Sequence, residues 1–197
     1  TRDAAPGALM SVQWVDLEDV EAPNDDLRLR GAAKGASLFA RGEGMWRGDD
    51  GIYFACTNGG TAKKGQIFRY LPSPYEGTPR ESDDPGNLEL FVEPDDAAKL
   101  DMGDNLTVAP WGELIVCEDG DGEQFLRHVD LNGDVWPFAR NALNESEFAG
   151  AVGFSDDGLP IRSAGVMQRA LQYQHLVGGT ILLHEEDPDL TRDGVMG

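Results

Sequence analysis

The strongest constraint on the fold is a series of short apolar runs, separated by turn-forming residues, between positions 51 and 140. Each run is rich in β-branched or aromatic residues and is bounded by Gly, Asp, Asn or Pro. In chain order they are GIYFACTN, GQIFRYLP, NLELFVEP, NLTVAP, GELIVCED, QFLRHVDL and GDVWPFAR. This pattern is typical of strands joined by tight turns. We therefore predict a mainly β fold, preceded over residues 1–30 by a polar loop that leads into a strand.

A weak internal repeat lies within these runs. Cys56 and Cys117 take equivalent places in the two matched units, and Gln66 and Gln124 open the strands that follow. A period of roughly 40–60 residues with about four strands per unit is typical of propeller blades. The sequence therefore predicts a partial β-propeller of about two blades. We interpret both cysteines as core residues, because a Cys inside an apolar strand is most often buried.

The pattern changes near residue 150. The run FSDDGLPI begins like a third unit, but Val166, Ala170 and Leu171 then follow at helical spacing, and TILLHEE indicates a buried strand. Strand, helix and strand in that order indicate parallel α/β structure. We therefore predict two segments, 1–149 and 150–197, of which the second is a short βαβ-like tail. The residues at both ends of the chain indicate a truncated protein.

The chain is strongly acidic, with 36 Asp and Glu against 16 Lys and Arg and a formal net charge of −20. This charge disfavours nucleic acid as a partner. A membrane is not expected either, since no apolar run approaches the ~20 residues that a spanning helix needs. Two interpretations of the acidity stay open, a solvated surface or carboxylates that hold hard cations such as calcium. The acidic run DGDGE lacks the spacing of an EF-hand, and we interpret it as a turn.

The segment from about residue 33 to residue 150 resembles the PhoX family of bacterial alkaline phosphatases. The resemblance is carried, in order, by FARGEGMWRGDDGIYFACTNGG, LELFVEP, DNLTVAPWGELIVCEDG, DVWPFARN and SEFAG. It implies a six-bladed propeller that hydrolyses small phosphate esters with iron and calcium in its central site. It also implies a parent protein that is exported to the periplasm or the cell exterior.

Arg41 and Glu43 are the predicted catalytic residues, since they match an Arg-x-Glu motif of that family. On a strand, residues two positions apart share a face, and a guanidinium can bind phosphate with two bonds. Clustered metals would neutralise the phosphate oxygens and activate a nucleophile. The predicted metal ligands in this segment are carboxylates at strand ends: Glu43, Glu118, Asp119 and Glu147.

Some of these carboxylates have a second interpretation. Glu118 and Asp119 stand just before a glycine, where they would shape a hairpin turn. Asp104 and Asn105 are interpreted first as turn formers, through their short polar side chains, and second as candidates for the site.

The C-terminal segment, from GFSDDGLPIRSAG to TILLHEED, resembles the dihydroorotases. The resemblance implies zinc ligands at Asp156, or its neighbour Asp157, and at His184, while the alternative for His184 is a structural histidine. The family's His-x-His pair has no counterpart, because the histidines are His128, His175 and His184. A catalytic zinc needs three protein ligands, so we expect no dihydroorotase activity.

Together these patterns predict a fragment of a metal-dependent phosphomonoester hydrolase that is inactive as an isolated chain. An incomplete propeller leaves open strand edges and half of a central site. The alternatives are a zinc amidohydrolase fragment and a non-catalytic, acidic, calcium-binding module.

Overall fold

The computed structural model describes residues 4–141 and, as backbone, the strands 153–155 and 180–182. Its elements are β1 (Leu9–Ser11), α1 (Leu27–Ala33), β2 (Gly42–Arg47), β3 (Ile52–Cys56), β4 (Gln66–Leu71), a 3-10 turn (Glu81–Asp83), β5 (Asn87–Val92), β6 (Gly103–Val108), β7 (Leu114–Glu118), β8 (Phe125–Val129), β9 (Val135–Arg140), β10 (Gly153–Ser155) and β11 (Thr180–Leu182). The seven predicted apolar runs are β3 to β9, so the mainly β fold is confirmed.

Two antiparallel sheets are formed by the strands of residues 4–141. The first sheet has the order β1-β5-β4-β3-β2, and the second has the order β6-β7-β8-β9. In each sheet four consecutive strands form a meander, because each strand pairs with the next along the chain. The first sheet alone carries a fifth strand, since β1 pairs with β5. Closure into a propeller stays a prediction.

The main hydrophobic core lies between the facing surfaces of the two sheets. Alternation along each strand directs every second side chain to this interface, where full burial of a large apolar side chain contributes about 1.5–3 kcal/mol. The first sheet supplies Tyr53, Ala55, Ile67, Phe91 and Val92, and the second supplies Leu106, Leu114, Val116 and Val129.

A smaller cluster covers the opposite face of the first sheet. It is formed by Cys56, Phe68 and Leu90, and Phe39 packs edge-on against the Phe68 ring. Cys56 and Cys117 are both fully buried. The prediction that both are core residues is confirmed, and burial raises the pKa of the Cys56 thiol to about 11.

The inner edges of the two sheets, β2 and β6, lie side by side in close contact. A Cβ placed on Gly44 would stand 2.7 Å from the Cα of Asn105 and 2.9 Å from the backbone nitrogen of Leu106. Backbone atoms cannot give way as a flexible side chain can, so only glycine permits this approach. Gly44 therefore sets the spacing of the two sheets.

The first 40 residues differ from the predicted loop. Residues Leu27–Ala33 form α1, on which Arg30 Nε lies 3.1 Å from Asp26 Oδ1 one turn earlier. Seven residues are too few to show helical periodicity, which is why the sequence did not reveal this helix. The predicted strand in this region is only the three residues of β1.

The two short strands near the C-terminus pair with each other. Gly153 lies opposite Thr180, and the strands run parallel, as the predicted α/β tail requires. The predicted helix between them lies outside the described residues, so the tail and the division at residue 150 stay predictions. No helix in the described part of the chain has the length and apolarity needed to cross a membrane.

Candidate functional site

Loops of both sheets meet at the end where β2 and β6 begin and where β3 and β7 finish. We call this the site end. Main-chain hydrogen bonds connect the loops of the site end. Thr57 N donates to Arg41 O (2.9 Å), Met102 N donates to Lys64 O (2.9 Å), and Asp119 N donates to Met102 O (3.0 Å). The second of these bonds joins a loop of the first sheet to the segment that leads into the second sheet. Residues from both sheets are thereby held at one place.

Three of the predicted site residues come together at the site end. Arg41 Nε donates to Glu43 Oε1 at 3.3 Å, and a terminal nitrogen of Arg41 donates to Asp119 Oδ2 at 2.6 Å. Glu43 lies on β2 of the first sheet and Arg41 just before that strand, whereas Asp119 follows β7 of the second sheet. The guanidinium side chain is 42% exposed, so a solute can reach it. The hydrogen bond to Asp119 raises the pKa of Arg41, and the bond to Glu43 acts in the same direction.

Arg41 reaches Glu43 by a route different from the predicted one. It precedes β2 and has a left-handed backbone with φ of +53°, so the two residues do not share a face of a regular strand. A residue with a Cβ held in such a conformation costs on the order of 1–3 kcal/mol and persists only where its surroundings fix it. Here the bond from Thr57 N to the Arg41 carbonyl helps to fix it. Because left-handed backbone is most often glycine, an arginine gave no sequence signal for it.

Glu118 lies apart from this group, in the interior between the sheets. Its Oε1 accepts from Arg127 Nε at 2.6 Å and from Asp101 N at 2.9 Å, and its Oε2 accepts from Phe125 N at 3.1 Å. Burial raises the pKa of Glu118, while the bond from Arg127 acts in the opposite direction. These contacts are those of an internal ion pair. The assignment of Glu118 as a metal ligand stays a prediction.

The other predicted site residues divide into two groups. Asp104 and Asn105 lie on β6 beside Gly44, where Asp104 is buried. Glu147, Asp156 and His184 lie outside the described residues. Sequence analysis missed Gly44 and Thr57, although Gly44 could have been noticed as a glycine within a run that otherwise indicates a strand.

The described residues do not complete a metal site. Among them, no three His, Cys, Asp or Glu side chains are grouped so that they could hold an ion. Calcium takes six to eight oxygen ligands, whereas Glu43 and Asp119 are two carboxylates that both accept bonds from Arg41. A guanidinium has five N–H donors, and the bonds to Glu43 and Asp119 use two of those of Arg41, which leaves donors that an anion can accept from.

A comparison with protein families identifies the larger part of the chain. The family model described as "Alkaline phosphatase PhoX" matches residues 3–157. The chain belongs to the PhoX family. This confirms the resemblance found in the sequence, and Arg41, Glu43 and Asp119 all lie within the matched PhoX segment. The family as a whole supports a phosphatase-like, metal-dependent function.

Curated dihydroorotases match a smaller part of the chain. The protein of Pelotomaculum thermopropionicum is 48% identical over 54 residues, which is 27% of this chain and 13% of that protein. The protein of Lactococcus lactis is 57% identical over 42 residues, or 21% of this chain and 10% of that protein. The PhoX chain thus spans only a small fraction of the length of these relatives. No solved structure matches it significantly.

Proposed function

We propose that this chain supplies the phosphate-binding part of a metal-dependent phosphomonoester hydrolase. The observation that carries the proposal is the guanidinium of Arg41, exposed at the site end and held between Glu43 and Asp119. Membership of the PhoX family supports the same function.

Arg41 binds the non-bridging oxygens of a small phosphate ester. A guanidinium presents parallel N–H donors that match a phosphate group, and such charge-assisted bonds are about twice as strong as neutral ones. Glu43 and Asp119 limit the rotation of this guanidinium. The loss of side-chain freedom on binding is therefore smaller than for an unrestrained arginine.

Calcium and iron are the metals that we propose for the complete site. Glu43 is a candidate ligand within the described residues, and Glu147 is a candidate outside them. Because the described residues do not complete a metal site, further ligands must come from elsewhere. A partial propeller would hold only half of a central site, so we expect the 197-residue chain alone to hydrolyse phosphomonoesters weakly or not at all. We also propose that the parent protein is exported, as PhoX proteins generally are.

Phosphate binding by the isolated chain tests the proposal. Inorganic phosphate is titrated into the wild type, Arg41→Ala and Arg28→Ala, and the dissociation constant is measured by calorimetry. Arg28 is a suitable control because it is an exposed arginine of α1 that pairs only with Asp25 among the described residues. We expect R41A to weaken phosphate binding about 10- to 100-fold, because this is the loss of affinity that corresponds to one hydrogen bond to a charged group. We expect R28A to leave phosphate binding unchanged.

Two results would contradict the proposal. One is a wild-type chain that does not bind phosphate. The other is an R41A variant that binds it as tightly as R28A does.

A zinc amidohydrolase is the second candidate, favoured by the dihydroorotase matches to a quarter of the chain. It needs ligands at Asp156 and His184 and at least one more. Of the three histidines in the chain, His128 lies on β8 with its Nε2 2.8 Å from Glu113 Oε2. Since that contact commits His128 to a pair within the second sheet, the phosphatase proposal stands ahead of this one.

A further inference from the structure

We propose that Asp119 is a positioning residue, which holds the Arg41 guanidinium from the second sheet and thereby makes phosphate binding depend on the contact between the sheets. This inference rests on the proposed function and assigns Asp119 a role other than that of metal ligand. Three features of the structure carry it.

The first feature is the pair itself. The distance of 2.6 Å between Arg41 and Asp119 Oδ2 is shorter than the 3.3 Å between Arg41 and Glu43. Charge-assisted N–H···O bonds in proteins are typically 2.7–2.9 Å, so the bond to Asp119 is the stronger of the two. Glu43 is only two residues from Arg41 along the chain and cannot link the sheets. Asp119 is the carboxylate that does.

The second feature is the rigidity of the turn that carries Asp119. Its backbone N–H donates to the Met102 carbonyl, and Glu118 before it is fixed by the buried bond to Arg127. Gly120 after it packs so closely on Asp101 that an added Cβ would lie 2.5 Å from the Asp101 carboxyl carbon. Asp119 therefore projects from a turn that is anchored on both sides.

The third feature is the position of Arg41 outside any regular strand. Its left-handed backbone precedes β2, where pairing between strands does not determine the direction of the side chain. A long side chain leaving such a position has many rotamers. A carboxylate on the opposite sheet selects one of them, which is the preorganisation that tight anion binding needs.

Two independent measurements test this role on the full chain. The first is the hydrogen exchange of the terminal Arg41 N–H that donates to Asp119, followed by NMR with assignment through R41A. The second is calorimetric titration with inorganic phosphate. The variants are Asp119→Asn, Asp119→Glu and, as a control from the same turn, Asp121→Asn.

We expect D119N to accelerate exchange of this terminal Arg41 N–H and to weaken phosphate binding by roughly five- to tenfold. D119E should restore part of the affinity because it keeps the charge, and D121N should match the wild type in both measurements. The urea midpoint of D119N should stay close to that of D121N, which separates lost positioning from lost folding.

The outcomes also distinguish this inference from the proposed function. A wild type without phosphate affinity overturns the proposed function. An Arg41 signal that is unchanged by D119N overturns the positioning role, and so does a D119N variant that binds phosphate as tightly as D121N.

Discussion

Each of the two sheets carries one arginine on an inner strand, β4 or β8, but the two arginines are paired and buried differently. In the first sheet Arg69 of β4 bonds to Glu89 of the next strand at 2.8 Å and to Asp50 at 2.9 Å, and its side chain is 20% exposed. In the second sheet Arg127 of β8 bonds to Glu118 of the preceding strand at 2.6 Å, with the two side chains only 6% and 2% exposed.

The difference shows that a similar strand sequence does not fix how a charge is neutralised. Arg69 keeps two acidic partners and some contact with water, so loss of one partner leaves it solvated. Arg127 is enclosed with Glu118, and a charge left alone in such a place is far more costly. We therefore expect the stability of the second sheet to depend on the single pair of Arg127 and Glu118. In the first sheet the same role is divided between the two partners of Arg69.

The largest loss in the free energy of unfolding is expected for Glu118→Gln. This change leaves the Arg127 guanidinium buried without a counter-charge, and breaking a buried pair in this way costs about 3–5 kcal/mol. The measurement is the free energy of unfolding from urea denaturation.

The double variant Glu118→Gln with Arg127→Met is the control for that experiment. It should recover much of the lost stability, because no buried charge remains. Asp101 N and Phe125 N donate to different oxygens of Glu118, so the single amide oxygen of Gln keeps one of these two bonds. Equal stability of E118Q and the wild type would show that the pair does not hold the second sheet.

An intermediate loss in the free energy of unfolding is expected for a substitution at the contact between β2 and β6. Gly44→Ala puts a Cβ against the backbone of β6, and overpacking of this kind typically costs about 1–3 kcal/mol. Gly42→Ala on the same strand is the control, since no described atom lies within 4 Å of a Cβ at that position. Similar urea midpoints for the two variants would mean that β2 and β6 do not need their close contact.

The smallest effect is expected in the first sheet. Glu89→Gln should lower the free energy of unfolding by about 1–2 kcal/mol, since Arg69 keeps Asp50 and partial hydration. The exposed pair of Arg80 and Asp83 provides a baseline, and Asp83→Asn should change stability by less than about 0.5 kcal/mol. A loss with E89Q as large as that with E118Q would refute the proposed difference between the sheets.

The strands could be predicted from the sequence because their signals are local. Alternating apolar residues and the glycines and aspartates between them act within a few positions, and they located all of β3 to β9. The meeting of Arg41 with Asp119 could not be predicted, since it depends on how two sheets pack across 78 positions of chain. The helix α1 was missed because seven residues carry too short a pattern.

The internal repeat shows that the sequence pattern also does not determine the register between paired strands. The sequence match sets Gln66 beside Gln124, but Cys56 pairs across the ladder with Gln66 whereas Cys117 pairs with Leu126. The two units are thus offset by two residues in their third strands. An offset of two keeps every side chain on its own face, so the apolar pattern alone cannot detect it.

The pairing of β1 with β5 has a consequence for the order in which the chain folds. The second sheet joins only strands that are neighbours in sequence, and contacts of such low sequence separation form rapidly. The first sheet must instead bring Leu9 to Glu89. Its outermost strand, β1, therefore cannot pair until β5 has been synthesised. During translation β1 would leave the ribosome before the other strands of its sheet and yet be the last of them to pair.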